Sequence, residues 1–153
     1  MTKDIISTLF IAVLWSCGGS SESSVADESV KPPKSMLAEQ QDPMKNKGIG
    51  PVKEVTLTSE IDQEMANAGK AIYMQMCTSC HKPDKRFIGP APKGILERRS
   101  PEWVMNMILN PEGMIMKDPI AKQLLIEYNG APMANQGLTQ EQARQVLEYF
   151  RTL

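Results

Sequence analysis

Histidine is almost absent from this chain of 153 residues, which contains one histidine and three cysteines. Aromatic residues make up only 5% of the sequence, so a core must be filled largely by other side chains, and methionine is frequent at 11 residues. An excess charge of either sign is also lacking, because 17 basic residues are balanced by 18 acidic ones. This balance excludes a strongly basic nucleic-acid binder, and we expect no nucleic-acid partner.

The apolar run at residues 5–15 is too short for a transmembrane helix, since it reaches about half of the ~20 residues that a bilayer requires. Its position predicts a signal peptide over residues 1–16. Residues 14–17, Leu-Trp-Ser-Cys, resemble a bacterial lipobox. We therefore expect export to the periplasmic side and a membrane anchor formed by lipid on Cys17. The alternative is an ordinary signal peptide followed by an incidental cysteine.

Residues 17–58 are predicted to form the lipidated N-terminus and a flexible tether. Up to about residue 47 the segment is rich in serine, acidic residues and proline, with no helical or alternating pattern. Residues 48–57 are more apolar, and they either lie extended along the surface of the folded domain or continue the linker. The folded domain is predicted to cover residues 59–153.

Helix start signals recur in this predicted domain. Pro111 is expected to end the second helix and Gly130 the third. No convincing alternating pattern of β-strands is present, so we expect an all-α fold. Four polar residues are placed to cap helices, each ahead of apolar residues at three- and four-residue steps: Ser59, Ser100, Asp118 and Thr139.

The pentapeptide Cys77-Thr78-Ser79-Cys80-His81 matches the attachment pattern for c-type haem. Two thiols at this spacing can reach the two vinyl groups on one edge of a porphyrin, and the next residue then lies under the iron. We therefore expect one haem c, bonded to Cys77 and Cys80, with His81 as an iron ligand.

Other interpretations of this motif remain. A structural zinc site normally needs four Cys or His ligands, and beyond the motif the chain offers only Cys17. A thioredoxin-like redox pair would require strand-rich surroundings, and a simple disulfide or a chance match is also possible. The expected export favours haem, because bacteria attach c-type haem outside the cytoplasm. One cysteine for lipid and two for haem then leave none unassigned.

The predicted domain resembles the class I monohaem cytochromes c, in the form of a bacterial lipoprotein. The spacing Gly69-x3-Tyr73-x3-Cys77 looks like the family's N-terminal helix, in which a glycine permits close crossing by the C-terminal helix. The partner face on that second helix would consist of Val146, Tyr149 and Phe150. The resemblance implies a cytochrome c-like helical domain around one covalently attached haem.

The resemblance also implies two further site residues. Gly89-Pro90 looks like the family's Gly-Pro sequence, whose proline carbonyl accepts the second imidazole N–H and so orients the ligand. Met133 lies in a loop ahead of the last helix, where the family has its axial methionine. Met114 and Met116, also expected in a loop, remain alternatives. Two other methionines lie on a predicted helix, where core filling is the more usual role: Met105 and Met107.

Ligation of iron by His81 and Met133 would leave no vacant position, so we expect a one-electron carrier and not an enzyme. Its partners would be redox proteins that donate and accept electrons, and the membrane through the lipid, with no small-molecule substrate. The lipidated terminus and residues 48–53 resemble those of small cytochromes that serve periplasmic reductases, including denitrification reductases. The alternatives are a haem protein with a displaceable methionine, acting as a gas sensor or peroxidase-like enzyme, and a haem-free lipoprotein adaptor.

Residues 82–99 contain six basic residues against two acidic ones. These cations could neutralise haem propionates or guide docking to an acidic partner, and the alternative is an ordinary solvated face. Trp103 resembles the family's aromatic residue that contacts a propionate, although a place in the core is an equal expectation.

Overall fold

The computed structural model describes residues 42–153, and the predicted signal peptide, Cys17 and the tether up to residue 41 lie outside this range. Within it the chain forms helices joined by loops and contains no β-strand. This confirms the prediction of an all-α fold. Among the described residues, no helix has the length and apolar character needed to cross a bilayer.

Five α-helices follow one another along residues 42–153. A single turn of 3₁₀ helix, Ile95–Glu97, lies between the first and the second. The α-helices are α1 (Gln63–Met76), α2 (Pro101–Leu109), α3 (Pro111–Lys117), α4 (Pro119–Glu127) and α5 (Gln140–Phe150).

Three of the four predicted helix caps are confirmed. Ser100, Asp118 and Thr139 each accept a backbone N–H from the first turn of the helix that follows. The prediction for the first helix is wrong, because Asp62 and not Ser59 caps α1 by accepting the N–H of Met65. A carboxylate beside the positive end of a helix is a favourable cap, and α1 accordingly begins at Gln63.

Helix α3 lies where we expected a loop. Asn110 ends α2 and also caps α3, since its side chain accepts the N–H of Gly113. Pro111 then occupies the first turn of α3, a position where its missing N–H costs nothing. Met114 and Met116 are therefore helical. Met114 is fully buried, whereas Met116 is 68% exposed.

The first and last helices cross in close contact at Gly69, as the glycine pattern predicts. A Cβ atom added at Gly69 would lie 1.9 Å from the carbonyl oxygen of Gln145 on α5. Next to the crossing, the ring of Tyr73 packs 5.3 Å from Tyr149 and 5.7 Å from Phe150, measured between ring centroids. This crossing fixes the end of α1, from which the candidate site begins.

A buried carboxylate joins the same two helices at the start of α1. Glu148 is fully buried on α5 and accepts hydrogen bonds from the Asp62 N–H at 2.9 Å and from Arg144 and Arg151 at 2.6 Å each. Burial alone would raise the pKa of Glu148, but these hydrogen bonds and the two arginine charges lower it. The carboxylate is therefore held in its charged form.

Residues 46–52, the N-terminal strap, lie against α2 and α3. The buried side chain of Asn106 accepts the Val52 N–H at 2.9 Å and donates to the carbonyl oxygens of Val52 and Lys47. Val52 itself is 2% exposed and belongs to the hydrophobic core. Of the two interpretations of residues 48–57, the structure supports packing along the domain surface for the part that lies in the strap.

Candidate functional site

Cys77, Cys80 and His81 share one hydrogen-bonded turn at the end of α1. Cys77 ends the helix, and its carbonyl oxygen accepts the N–H of Cys80 at 3.1 Å and that of His81 at 2.9 Å. The two thiols are free, with Cys77 partly buried and Cys80 exposed. Burial raises the pKa of the Cys77 thiol to about 11, with a further contribution from Cys80. The turn therefore brings two thiols and an imidazole together, as the spacing predicts.

The imidazole of His81 is held in one orientation by a main-chain carbonyl. Its Nδ1 atom lies 2.8 Å from the carbonyl oxygen of Pro90. Because a carbonyl can only accept, Nδ1 carries the proton, and Nε2 of the neutral ring is left with a free lone pair. Pro90 thus makes the contact that the resemblance implies for it, and His81 has the tautomer that a metal ligand needs.

Gly89 makes this contact possible by lying directly against the His81 ring. A Cβ atom at this position would lie 2.4 Å from Cε1 of the imidazole. The N–H of Gly89 donates to the carbonyl oxygen of Cys80 at 2.8 Å, which holds the loop against the turn. The residue preceding Pro90 therefore has to lack a side chain.

His81 lines a cleft of about 460 Å³, within the range typical of ligand sites. A smaller, mainly apolar pocket adjoins the cleft and also reaches Tyr73 and Cys77. The cleft and the pocket have several lining residues in common, which makes them one continuous cavity: His81, Pro90, Ala91, Ile95, Trp103, Met107 and Met133.

Two methionines line this cavity together with His81. One is Met133, from the loop before α5, and the other is Met107 from α2, which we expected to fill the core. Met114 is not among the lining residues, because it packs beneath the strap and accepts the N–H of Ile49. Met116 is exposed and is also not a lining residue. Met133 as ligand stays a prediction, and Met107 replaces the two loop candidates as its alternative.

Arg99 brings a donor without an acceptor to the cavity wall. Its Nε atom is buried and has no hydrogen-bond partner among residues 42–153. Burial lowers the pKa of the Arg99 guanidinium, and the charge of Arg98 lowers it further, whereas Asp118 and Glu127 raise it. Another nitrogen of the guanidinium donates to the carbonyl oxygen of Arg98 at 2.6 Å. Because Arg99 lines the cavity, its positive charge fits an anionic group inside it.

Trp103 does not offer its N–H to the cavity. The indole is 3% exposed, and Nε1 donates to Oδ1 of Asp118 at 3.1 Å. The same carboxylate accepts from the Ala121 N–H and, through Oδ2, from Asn46. Of the two roles expected for Trp103, the structure supports the core role. The ring still lines the cavity, with the Arg99 guanidinium 5.4 Å from its centroid.

Residues 42–153 contain no group of three or more His, Cys, Asp or Glu side chains placed to hold a metal ion. These residues therefore do not supply the four ligands of a structural zinc site. They do fit a haem. Cys77 and the oriented His81 imidazole line a cavity that the Met133 side chain and the Arg99 guanidinium also line, and Cys80 lies in the same turn as Cys77. A group with vinyl edges, iron and carboxylates requires such a set.

Residues 66–153, more than half of the chain, match the protein family described as Cytochrome c. Among solved structures, a cytochrome c from Rhodothermus marinus is 48% identical with a TM-score of 0.65, over 67% of this chain and 88% of that one. An engineered cytochrome c from the same organism, bound to a carbene intermediate, is 47% identical with a TM-score of 0.62, over 67% and 88% of the two chains. No curated protein matches the chain.

Proposed function

Because the chain belongs to the cytochrome c family, we propose that it is a monohaem electron carrier whose iron is held by His81 and Met133. The family implies a haem-based electron carrier with covalently attached haem c, and its members generally transfer electrons instead of catalysing reactions. The all-α fold is the cytochrome c fold. In the proposed carrier, Cys77 and Cys80 are the attachment points.

The observation that carries this proposal is the hydrogen bond between His81 and Pro90. It assigns the ring proton to Nδ1 and leaves the lone pair on Nε2, in a cavity that the side chain of Met133 also lines. Thioether bonds to the two neighbouring cysteines would keep the iron close to His81 even after a ligand bond breaks, because religation becomes intramolecular.

When bound, haem exchanges one electron at a time between its ferric and ferrous states. The residues of the chain would favour this electron exchange over the binding of small molecules. His81 and Met133 would both hold the iron and so exclude small molecules, while the methionine sulfur and the apolar walls would favour the ferrous state. The positive charge of Arg99 would compensate an anionic propionate.

The loop after His81 supplies the surface that we propose for docking. Phe87 is 49% exposed and Ile88 is 48% exposed. The ammonium group of Lys82 lies 4.8 Å from the centroid of the Phe87 ring, and Lys85 is exposed nearby in the sequence. An exposed apolar pair among cations fits a small, transient interface with a redox protein that has an acidic surface.

The proposed location is the periplasmic side of a bacterial membrane. Cytochrome c homologues are typically exported, which agrees with the predicted signal peptide. Lipid on Cys17 would then anchor the domain through the tether and let it move between an electron donor and an acceptor. We propose that the acceptor is a terminal reductase, such as a reductase of denitrification, on the basis of the sequence pattern described above.

The ligand assignment is tested with Met133→Ala in protein matured by a host that attaches c-type haem. Replacing a thioether with no ligand should abolish the sulfur-to-iron charge-transfer band of the ferric protein. It should also lower the reduction potential by about 0.1 V or more, a fraction of the ~0.8 V range that axial ligands control. Absorption spectroscopy and redox titration measure the two effects.

Met107→Leu is the matched control, because it removes the other sulfur that lines the cavity. It should keep both the charge-transfer band and a potential close to that of the unchanged protein. If Met133→Ala keeps the band and Met107→Leu loses it, the proposed ligand is wrong. A ferrous protein that binds carbon monoxide readily would instead favour the sensor or peroxidase-like alternative, since both axial positions of the proposed carrier are filled.

A further inference from the structure

Arg86 connects the loop after His81 to the end of α4 at the cavity. One guanidinium nitrogen lies 3.4 Å from Oε1 of Glu127, and another donates to the main-chain carbonyl of the same residue. The guanidinium carbon also lies 4.2 Å from the centroid of the Tyr128 ring. All three residues line the cleft. One side chain thus makes an ion pair, a hydrogen bond to main chain and a cation–π contact.

The two connected segments lie next to the two proposed iron ligands along the chain. Arg86 lies in the loop that follows His81, and Tyr128 lies at the end of α4, just ahead of the loop with Met133. Immediately after Tyr128 the backbone turns through two left-handed residues, Asn129 (φ 58°) and Gly130 (φ 75°). The direction in which the Met133 loop leaves α4 is therefore set next to the residue that Arg86 contacts.

The side-chain hydrogen bonds of the Met133 loop join Gln136 to Ala134 and Asn135 to Gly137, so they stay within the loop itself. Its front end is tied to α4 by main-chain bonds, because the N–H groups of Gly130 and Ala131 donate to the carbonyl oxygens of Leu125 and Tyr128. The position of the front end therefore follows the end of α4, where Arg86 makes its contacts.

We propose that Arg86, with Glu127 and Tyr128, forms a clasp that keeps Met133 in place as an iron ligand. Arg86 is then a positioning residue, because it acts through Met133 without touching the iron. The clasp is partly exposed, with 53% of the Arg86 side chain and 51% of the Glu127 side chain accessible. Losing the clasp should therefore raise the fraction of molecules with an open Met133 loop by only a modest factor. This inference rests on the proposed function, since it requires bound haem.

The test is the affinity of the ferric, haem-loaded protein for imidazole at about pH 8, where the probe is uncharged. Imidazole can bind the iron only when Met133 leaves it, so its apparent affinity reports the fraction of molecules with the loop open. We expect Arg86→Gln to raise this affinity about fivefold, the effect of losing one exposed ion pair and one cation–π contact together. The charge-transfer band, titrated in parallel, should disappear at correspondingly lower imidazole concentrations.

Lys93→Gln is the matched control, because it removes one positive charge from the same loop at an exposed position that does not line the cavity. Its imidazole affinity should equal that of the unchanged protein. Equal increases in both variants would mean that loop charge and not the clasp matters, and would overturn the proposal. An unchanged affinity in Arg86→Gln would overturn it as well.

A second variant keeps the proposal testable if Arg86→Gln does not mature. Tyr128→Leu removes the stacking partner and leaves Arg86 in place, and it should raise imidazole affinity about twofold. Combined with Arg86→Gln it should add nothing, since both changes remove the same contact. Additive effects in the double variant would contradict a clasp. If the unchanged protein has no charge-transfer band at all, the ligand assignment fails before the clasp is tested.

Discussion

Because Gly89 has no side chain, its loop can approach the ring of His81. With a hydrogen atom at this position, the loop lies flat against the ring, and the carbonyl oxygen of the following Pro90 comes within 2.8 Å of Nδ1. Glycine is thus needed here for close approach and not for an unusual backbone angle, since Gly89 does not have a positive φ. The orientation of His81, the proposed ligand, depends on this contact with Gly89 and Pro90.

We expect Gly89→Ala to lower the free energy of unfolding by about 2 kcal/mol, because the new methyl group overlaps the imidazole and forces a shift. It should also perturb the absorption spectrum of the haem-loaded protein, since the ring that moves is a proposed ligand. Denaturant titration and absorption spectroscopy measure these two effects.

Gly94→Ala is the control, because Gly94 is a glycine with a left-handed backbone conformation and not one in close contact with a ring. Gly94 has φ 63°, and an added Cβ would meet only the ends of two flexible side chains, Glu97 at 3.3 Å and Arg98 at 3.6 Å. This variant should lose about 1 kcal/mol of stability and keep its spectrum. A normal spectrum in Gly89→Ala would refute the role assigned to the contact with His81.

At the scale of single residues, the sequence predicts which side chains have the chemistry of the site better than it predicts which side chains lie next to one another in the fold. The motif with Cys77, Cys80 and His81 is readable because its geometry is local, within one turn of chain. Resemblance to a family is what points to Pro90 and Met133. The place of the Met107 side chain in the cavity wall could not be predicted, because tertiary packing brings it there. For Arg99, the sequence offered only one of six neighbouring cations, and the fold shows that it lines the cavity.

At the scale of elements, the crossing of α1 and α5 is fixed at two points. Gly69 allows backbone contact in the middle of α1, and the buried carboxylate of Glu148 binds the first turn through the N–H of Asp62. Arg151 extends this link, since it donates to the carbonyl oxygens of Thr58 and Glu60. The cap of α1 and the end of α5 therefore depend on the same ionic cluster.

We expect Glu148→Gln to lower the free energy of unfolding by about 3 kcal/mol at pH 7, because it leaves two arginines facing an uncharged group. The folded pKa of Glu148 lies below its unfolded value of about 4.3, so its contribution is complete above that pH. It is lost as the pH falls through the folded pKa. The unfolding curves of the two proteins, measured in urea, should therefore converge at acidic pH, below the folded pKa of Glu148.

The matched control is Glu141→Gln, an exposed glutamate on the same helix. It should change stability by less than about 0.5 kcal/mol at either pH. A difference between Glu148→Gln and the unchanged protein that stays constant from neutral to acidic pH would rule out a charged Glu148 as its origin.

Local capping signals predict helix boundaries, and these predictions are wrong where two signals overlap. Ser100, Asp118 and Thr139 were predictable because each precedes a clear apolar pattern. Helix α3 was missed because Pro111 is the residue that should end α2, and it also begins the next helix. Asn110 serves both helices, and this double role appears only once the chain is folded.

At the scale of the whole molecule, the scarcity of aromatic residues agrees with the composition of the core. Buried methionines fill space beside a few rings, as with Met105 on α2 and Met114 on α3. The N-terminal strap then covers Met114 and ties itself to Asn106. The strap could not be predicted with certainty, because its hydrogen bonds join residues more than fifty positions apart in the sequence.

The most direct test of the account is the mass of the tryptic fragment 71–85, which contains both motif cysteines, from the denatured mature protein. We predict the mass of the peptide plus one haem, retained after every noncovalent ligand has been removed. The same fragment from a Cys77→Ser, Cys80→Ser double variant should have the mass of the peptide alone. A bare peptide mass in the unchanged protein would contradict the account.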